Sequence, residues 1–273
     1  DPYIGYRGDD PKKLKILGYT TDVLTDELCG YIKKEHAQPF LAVCSWPDPH
    51  QPYWITPPYR DMYDWREVPL PLNYQEDVDE LPAWAKGIRK ISELLINRIK
   101  EKKEIGSSRG NPGGAKTERQ VFQLFTAQYW GMVKCIDDNV GRVFQCLEKK
   151  GILEDTIVVF TTDHGEFMGS HALFFKGIMY DEAVRLPLLI RYPKAIPAGT
   201  VIPQMTSMID LMPTLLEMTD TPVPDAVSGR SFAELAAGEK IDDWPEEVFL
   251  SLYKSLSDVN HFFPPTTVIF SLS

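Results

Sequence analysis

The chain has 273 residues, 43% hydrophobic and 25% charged, enough for a sizeable core in one large α/β domain or two small ones. Its formal net charge of -10, with 29 scattered Lys and Arg and no basic patch interleaved with aromatics, argues against a nucleic-acid surface, although a local cationic pocket is compatible with it. No apolar run is long enough to span a membrane, and the chain starts at Asp1 with neither Met nor an apolar leader, so it reads as a fragment whose start is missing. Cys29, Cys44, Cys135 and Cys146 lack Cys-x-x-Cys pairing and metal-ligand spacing; they read as buried thiols, which leaves the redox compartment open.

In chain order, Leu24, Leu28 and Ile32 recur at helical spacing and predict a helix over Thr25 to Glu35. Pro39 to Cys44 (PFLAVC) is a short apolar run that predicts a strand ending in a Ser-Trp-Pro-Asp-Pro-His turn. From Gln51 to Gly114 the chain is rich first in Pro, Tyr and Trp and then in Lys and Glu, with Gly106 to Gly114 as a flexible connector. It reads as an irregular excursion over the sheet edge, of the kind that shapes substrate pockets. A long helix is the best-marked element: Thr117 and Gln120 can form a capping box, Phe122, Phe125, Tyr129, Met132, Ile136, Val140, Val143 and Leu147 form its stripe, and Lys149, Lys150 and Gly151 stop it. Strands are predicted at Thr156 to Phe160 and Leu186 to Tyr192, and a helix from about Ile209 to Met218. This alternation predicts an α/β fold with a mostly parallel sheet sandwiched by helices. Residues 1–240 are expected to form the α/β domain, incomplete at its N-terminal side. Residues 241–273, with proline breaks and a β-rich tail, are expected to begin a truncated C-terminal segment. There is no internal repeat.

Thr161-Thr162-Asp163-His164-Gly165-Glu166 directly follows an apolar strand, so an Asp-His pair sits at a strand end, where open α/β sheets collect ligand and metal sites. A carboxylate there suits a hard cation and the adjacent imidazole can be a second ligand, although nitrogen is commoner on zinc or manganese than on calcium. The plainer alternative is a turn in which Asp163 caps local backbone and His164 is a satisfied polar group. Two further residues can reach the same edge: His50, in Pro49-His50-Gln51-Pro52-Tyr53, and Lys176, in Phe175-Lys176-Gly177. An imidazole and an ammonium beside a cation make a site for an anionic tetrahedral group, stabilising its oxygens and protonating a leaving group. His171, in Gly169-Ser170-His171, is a further substrate-side candidate, and its place on the loop also suits ordering that loop. Glu166 is either another ligand or a loop acid. Asp137 and Asp138 read as a solvated helix face, and Arg185 as an anchor for a helix end or carboxylate. Trp46, Tyr53, Trp54, Tyr59, Tyr63 and Trp65 could stack on a sugar or pack a proline-rich loop.

The strings PHQPY, YWGMVKCIDDNVGRVFQCLEKKGILEDTIVVFTTDHGEFMGSH and KGIMYDEAVRLPLLIRYP, with DMYDWREVPLPLNY and MIDLMPTLLEM, resemble the sulfatase family of the alkaline phosphatase superfamily over roughly residues 20 to 235. The resemblance implies an alkaline-phosphatase-like fold, a large sheet between helices with a smaller C-terminal subdomain. It also implies hydrolysis of a sulfate ester, on a sulfated small molecule or carbohydrate, by a formylglycine made from Cys or Ser beside a divalent cation, usually calcium. Asp163 and His164 match the second pair of metal ligands, Lys176 the lysine on the sulfate oxygens, and His50 the histidine on the sulfate or its leaving oxygen. One departure stands out: no Cys or Ser of this chain begins a Cys/Ser-x-Pro-x-Arg segment, Cys29 being followed by Gly-Tyr-Ile-Lys and Cys44 by Ser-Trp-Pro-Asp. The formylglycine is therefore expected in an N-terminal part, and this polypeptide alone is expected to be inactive and to bind calcium poorly. His261 to Ser273 does not resemble the family's C-terminal subdomain, which suggests truncation or a shifted reading frame there. Phosphodiester or phosphonate monoester hydrolysis, or a non-catalytic binding role, are the alternatives. An extracellular, periplasmic or lysosomal location is implied at family level; substrate identity and oligomeric state are not.

Overall fold

A computed structural model of the chain describes residues 4–7, 15–74, 79, 81–82, 85–101, 114–252 and 266–271. Its contacts fall into two compact units, residues 1–153 with 166–176, and residues 154–165 with 177–273.

In the first unit, β1 (Ile4–Arg7) pairs antiparallel with β2 (Lys15–Tyr19), which runs straight into α1 (Thr20–Lys33). The buried face of α1 is Thr21, Thr25, Cys29 and Ile32, displaced from the Leu24 and Leu28 stripe that marks the helix in the sequence. Two threonines can be buried there because each hydroxyl is satisfied. Thr25 donates to the Thr21 carbonyl at 2.8 Å and accepts from the Trp46 indole at 3.1 Å, while Thr21 donates to the Asp48 carboxylate.

The segment Pro39 to Cys44 is not a strand. It runs extended without a ladder partner among the described residues, and Leu41 and Val43 are each 84% exposed. A strand needs a neighbouring backbone as well as an apolar sequence. The excursion after Gln51 is irregular as far as Tyr74, apart from a 3₁₀ turn at Tyr59–Asp61, but it contains a helix that composition concealed, α2 (Lys86–Lys100). Ile88, Ser92, Ile96 and Ile99 recur on its buried face, and Lys and Glu occupy the other. Of the expected connector, residues 106–113 lie outside the described residues.

α3 (Glu118–Lys150) follows, about 50 Å long at 1.5 Å per residue. Thr117 and Gln120 form the reciprocal capping box, and Gly151 ends the helix with φ of 77°. Near its middle, Gly131 lies so close to the Tyr59 backbone that a Cβ would meet the carbonyl oxygen at 2.6 Å. The core of this unit is built on the first half of α3: Val121, Phe122, Leu124 and Phe125, with Tyr53, Ile96, Ile99, Met168 and Phe174.

In the second unit, β3 (Val158–Thr161) and β4 (Leu188–Arg191) pair antiparallel, with α4 (Asp181–Val184) between them in sequence. Thr161 at the end of β3 lies opposite Leu188 at the start of β4, so the connection leaves and re-enters at one end of the ladder. The three strand pairs among the described residues are all antiparallel, where the sequence predicts a mostly parallel sheet. Parallel neighbours need a crossover that carries the chain back along the sheet, usually a helix, and α4 has four residues. The rest of this unit comprises α5 (Leu211–Met218), α6 (Ala233–Ala236) and the antiparallel pair β5 (Glu247–Leu252) and β6 (Thr266–Ser271). Its core joins Phe232, Leu235, Ala236 and Trp244 to Leu188 and Ile190 of β4 and Leu211 and Met218 of α5. Of the expected tail, residues 261–265 and 272–273 lie outside the described residues.

Candidate active site

The Asp-His pair follows β3 as the sequence predicts, and its geometry arises from one close backbone contact. Gly165 donates to the Ala183 carbonyl at 2.9 Å, and a Cβ on it would lie 1.9 Å from the Glu182 oxygen, so only glycine fits. This contact pins the chain just after His164 against α4. One oxygen of Asp163 accepts from the His164 backbone N–H at 3.0 Å and from the Thr162 hydroxyl at 3.3 Å, the local cap that the plainer reading calls for. The other oxygen is 3.5 Å from His164 Nε2. On the far side of the ring, Nδ1 lies 3.0 Å from the Gly165 carbonyl, which can only accept, so Nδ1 carries the hydrogen and Nε2 keeps its lone pair.

Two Lewis-basic atoms 3.5 Å apart, held by their neighbours and open to solvent, suit adjacent positions around one divalent cation. Both donors fit the cation that the sequence implies, as part of a ligand set. No group of three or more His, Cys, Asp or Glu among the described residues is placed to hold a metal.

The first unit carries the other candidates. His50 is exposed, and its Nδ1 lies 2.7 Å from the Gln51 carbonyl, which makes Nε2 the basic end of the neutral ring. Lys176 ends a loop folded back on itself: Phe167 donates to the Phe175 carbonyl at 3.0 Å and Gly169 to the Leu173 carbonyl at 2.9 Å. Those two rungs put Glu166 and Lys176 opposite one another at the loop mouth. One step further in, Met168 and Phe174 are buried in the core, with Phe174 stacked on Phe122 at 4.2 Å and 23°.

The polar atoms at that mouth are withdrawn from solvent. Lys176 Nζ and Glu166 Oε1 are both buried and, among the described residues, without a hydrogen-bond partner. Burial pushes the Glu166 carboxyl up to about 7, against the Tyr53 hydroxyl, the Lys176 charge and the Phe175 and Phe167 N–H groups, which all pull it down. Burial, and then the Glu166 charge, push the Tyr129 phenol up to about 12. The sequence singled out Lys176 and left Glu166 open. It gave no signal for Tyr53 as a polar partner, because that tyrosine stands in an aromatic cluster.

His171 is fastened rather than exposed on a flexible tip. Its N–H donates to the Asn73 carbonyl at 3.2 Å, and its Nε2 accepts from the Asn73 amide at 3.2 Å. α2 supplies two more fastenings that the sequence did not reveal. Arg89 donates to the Ala172 carbonyl at 2.8 Å while gripping Glu118 at 2.7 and 3.0 Å, and Phe174 N–H donates to the Ser92 hydroxyl at 2.9 Å. The aromatic residues after Trp46 are engaged internally: Trp46 on Thr25, Tyr53 among Phe125, Tyr129 and Phe174, Tyr59 on Asp138, Tyr63 on Trp130, and Trp65 against the core. Packing accounts for them. Asp137 and Asp138 pair with Lys134 on the exposed face of α3, and Arg185 reaches Asp181 at 3.5 Å.

A sequence model of the sulfatase family matches residues 3–221. The chain belongs to the sulfatase family. It is 25% identical to the N-acetylglucosamine-6-O-sulfatase of Bacteroides thetaiotaomicron, over 90% of this chain and 51% of that protein. It is 28% identical to the solved phosphonate monoester hydrolase of Silicibacter pomeroyi, with a TM-score of 0.71 over 97% of this chain and 51% of the other. A solved structure in complex with its substrate, D-glucosamine-2-N,6-O-disulfate, superposes with a TM-score of 0.72 at 24% identity, over 96% of this chain and 61% of the other, a likeness of fold. The α/β, alkaline-phosphatase-like class thus holds, although the strand pairs described are antiparallel. The chain spans about half the length of the curated relatives it matches.

Proposed function

We propose that the protein carrying this chain is a sulfuric ester hydrolase acting on a sulfated small molecule or carbohydrate. Lys176 binds non-bridging oxygens of the sulfate. His50, through Nε2, contacts the sulfate or, once protonated there, gives a proton to the departing oxygen, and Asp163 and His164 are two ligands of a divalent cation, calcium by family habit. When bound, that cation supplies positive charge for an anionic oxygen. His171 orders the loop that presents Lys176 and stands next to the substrate. The observation that carries the reading is Lys176: its ammonium is buried without an acceptor among the described residues, which is costly, and an anionic group is what it fits.

No Cys or Ser of the 273 residues begins the Cys/Ser-x-Pro-x-Arg segment, so the formylglycine and the catalytic activity are assigned to the full-length protein. An extracellular, periplasmic or lysosomal location belongs to the same proposal. Among the described residues, no helix is long and apolar enough to cross a membrane. The likeness to a phosphonate monoester hydrolase favours one second reading, phosphonate or phosphodiester hydrolysis. Paired assays of the full-length protein on 4-nitrophenyl sulfate and phenyl phosphonate esters, with calcium and after chelation, decide between them. Preference for the sulfate ester supports the first reading, and turnover of phosphonate alone sinks it.

A further inference from the structure

We propose that Glu166 is the positioning residue of Lys176. The proposal rests on the reading of Lys176 as the residue that binds the sulfate.

Register and burial within the first unit bring the two residues together. The Phe167–Phe175 and Gly169–Leu173 rungs make residues 166 and 176 partners across the loop mouth. An ammonium and a carboxylate at partnered positions there, both withdrawn from water, can compensate each other's charge. They are not locked in a direct hydrogen bond: Glu166 Oε1 and Lys176 Nζ each lack a partner among the described residues. That separation has a consequence. A lysine bound tightly to a carboxylate would have its donors occupied, whereas one attracted at longer range keeps its three N–H groups for the oxygens of an anion.

Glu166 itself is held from behind. Its loop is anchored in the aromatic core: Phe174 stacks on Phe122 at 4.2 Å and packs on the Tyr53 ring at 6.0 Å, and Tyr53 lies among Phe125 at 5.2 Å and Tyr129 at 6.3 Å. Phe167 is buried and Phe175 packs against that core, whereas Lys176 is a long, unbranched chain. Removing the counter-charge would let that chain swing away from the loop mouth, or leave its charge uncompensated where it stands.

The test is a double-mutant cycle in the full-length protein, read as inhibition by inorganic sulfate, as KM and kcat on 4-nitrophenyl sulfate, and as Tm. Glu166→Gln is expected to weaken sulfate inhibition and raise KM about 10-fold, Lys176→Ala more, and the double variant no more than Lys176→Ala alone, because a residue acting through another has nothing left to position. Glu166→Gln lowering Tm with sulfate inhibition unchanged would mean a merely structural acid and would overturn the proposal, as would effects of the two substitutions that simply multiply. Lys176→Ala leaving sulfate inhibition unchanged would instead refute the underlying reading of Lys176. Should Glu166→Gln fail to fold, Glu166→Asp, which withdraws the carboxylate by one methylene, replaces it in the same cycle: weakened inhibition that disappears in the Lys176→Ala background supports the proposal, and unchanged inhibition overturns it.

Discussion

Replacing Arg89 by Met tests whether the loop that carries Lys176 depends on α2. The guanidinium side chain is 9% exposed and makes four contacts: Glu93 at 3.1 Å, both oxygens of Glu118 at 2.7 and 3.0 Å, and the Ala172 carbonyl at 2.8 Å. Methionine keeps most of the volume and removes every donor. The Ala172 carbonyl, on a residue with no exposed surface, then loses a charge-assisted hydrogen bond, which costs about 1–3 kcal/mol. Breaking a fully buried ion pair costs roughly 3–5 kcal/mol, but the Glu118 side chain is 30% exposed and can recover water, so about 1–2 kcal/mol is a fair share for it. The sum is about 2–5 kcal/mol. Five of the six tryptophans lie within the residue ranges of the first unit, so urea unfolding followed by tryptophan fluorescence reports mainly on that unit. Removing both charges, as Arg89→Met with Glu118→Leu, should restore roughly the ion-pair share and leave the loss at the Ala172 carbonyl. A single variant within about 0.5 kcal/mol of the parent would refute the reasoning, since that is the scale of ordinary surface changes.

Gly165→Ala should be comparably severe, about 2–4 kcal/mol, because its Cβ would lie 1.9 Å from a backbone oxygen that no rotamer can move; thermal unfolding with wild-type stability would show that α4 yields at no cost. Asp48 accepts from the Tyr19 and Thr21 hydroxyls, yet burial outweighs them and raises its folded pKa, so its contribution to stability is complete below the unfolded carboxylate value and is lost as pH rises through the folded one. Asp48→Asn should therefore match or exceed the parent in urea at pH 7 and lose that advantage near pH 4; a constant difference across that range would contradict it. Cys29 and Cys135 are pushed up to about 12, chiefly by burial, which leaves about one thiolate in ten thousand at pH 8. Iodoacetamide followed by mass spectrometry should find both unmodified until denaturant is added, and rapid native labelling of either would refute their burial.

What was legible in the sequence is what depends on local pattern. Thr117, Gln120 and Gly151 announce both ends of α3 because caps are satisfied within a few residues. Asp163 and His164 could be placed at a strand end because β3 is a short apolar run followed by glycine. The run Pro39 to Cys44 failed for the converse reason: its apolar residues resemble those of a strand, but strand formation is decided by a partner backbone elsewhere. α2 was hidden by its exposed Lys and Glu, although Ile88, Ile96 and Ile99 keep helical spacing through them. Arg89 and Ser92 could not be found at all, since each acts on a residue 80 or more positions away.

Those long-range fastenings explain how the 167–177 loop can hold the backbone it does. Met168, His171, Ala172 and Phe175 have φ of 42°, 55°, 54° and 73°, in the left-handed region where a residue with a Cβ costs about 1–2 kcal/mol. Four such residues within eight positions would not persist in a free loop, which would relax to extended or right-handed backbone. They persist because the loop is held from several sides: Asn73 on His171, Arg89 on Ala172, Ser92 on Phe174, and the Phe122 stack beneath. Strain kept by the surrounding structure fixes a position more narrowly than a relaxed loop can. What is fixed here is the direction in which the chain leaves Phe175, and therefore where the Lys176 ammonium comes to rest opposite Glu166.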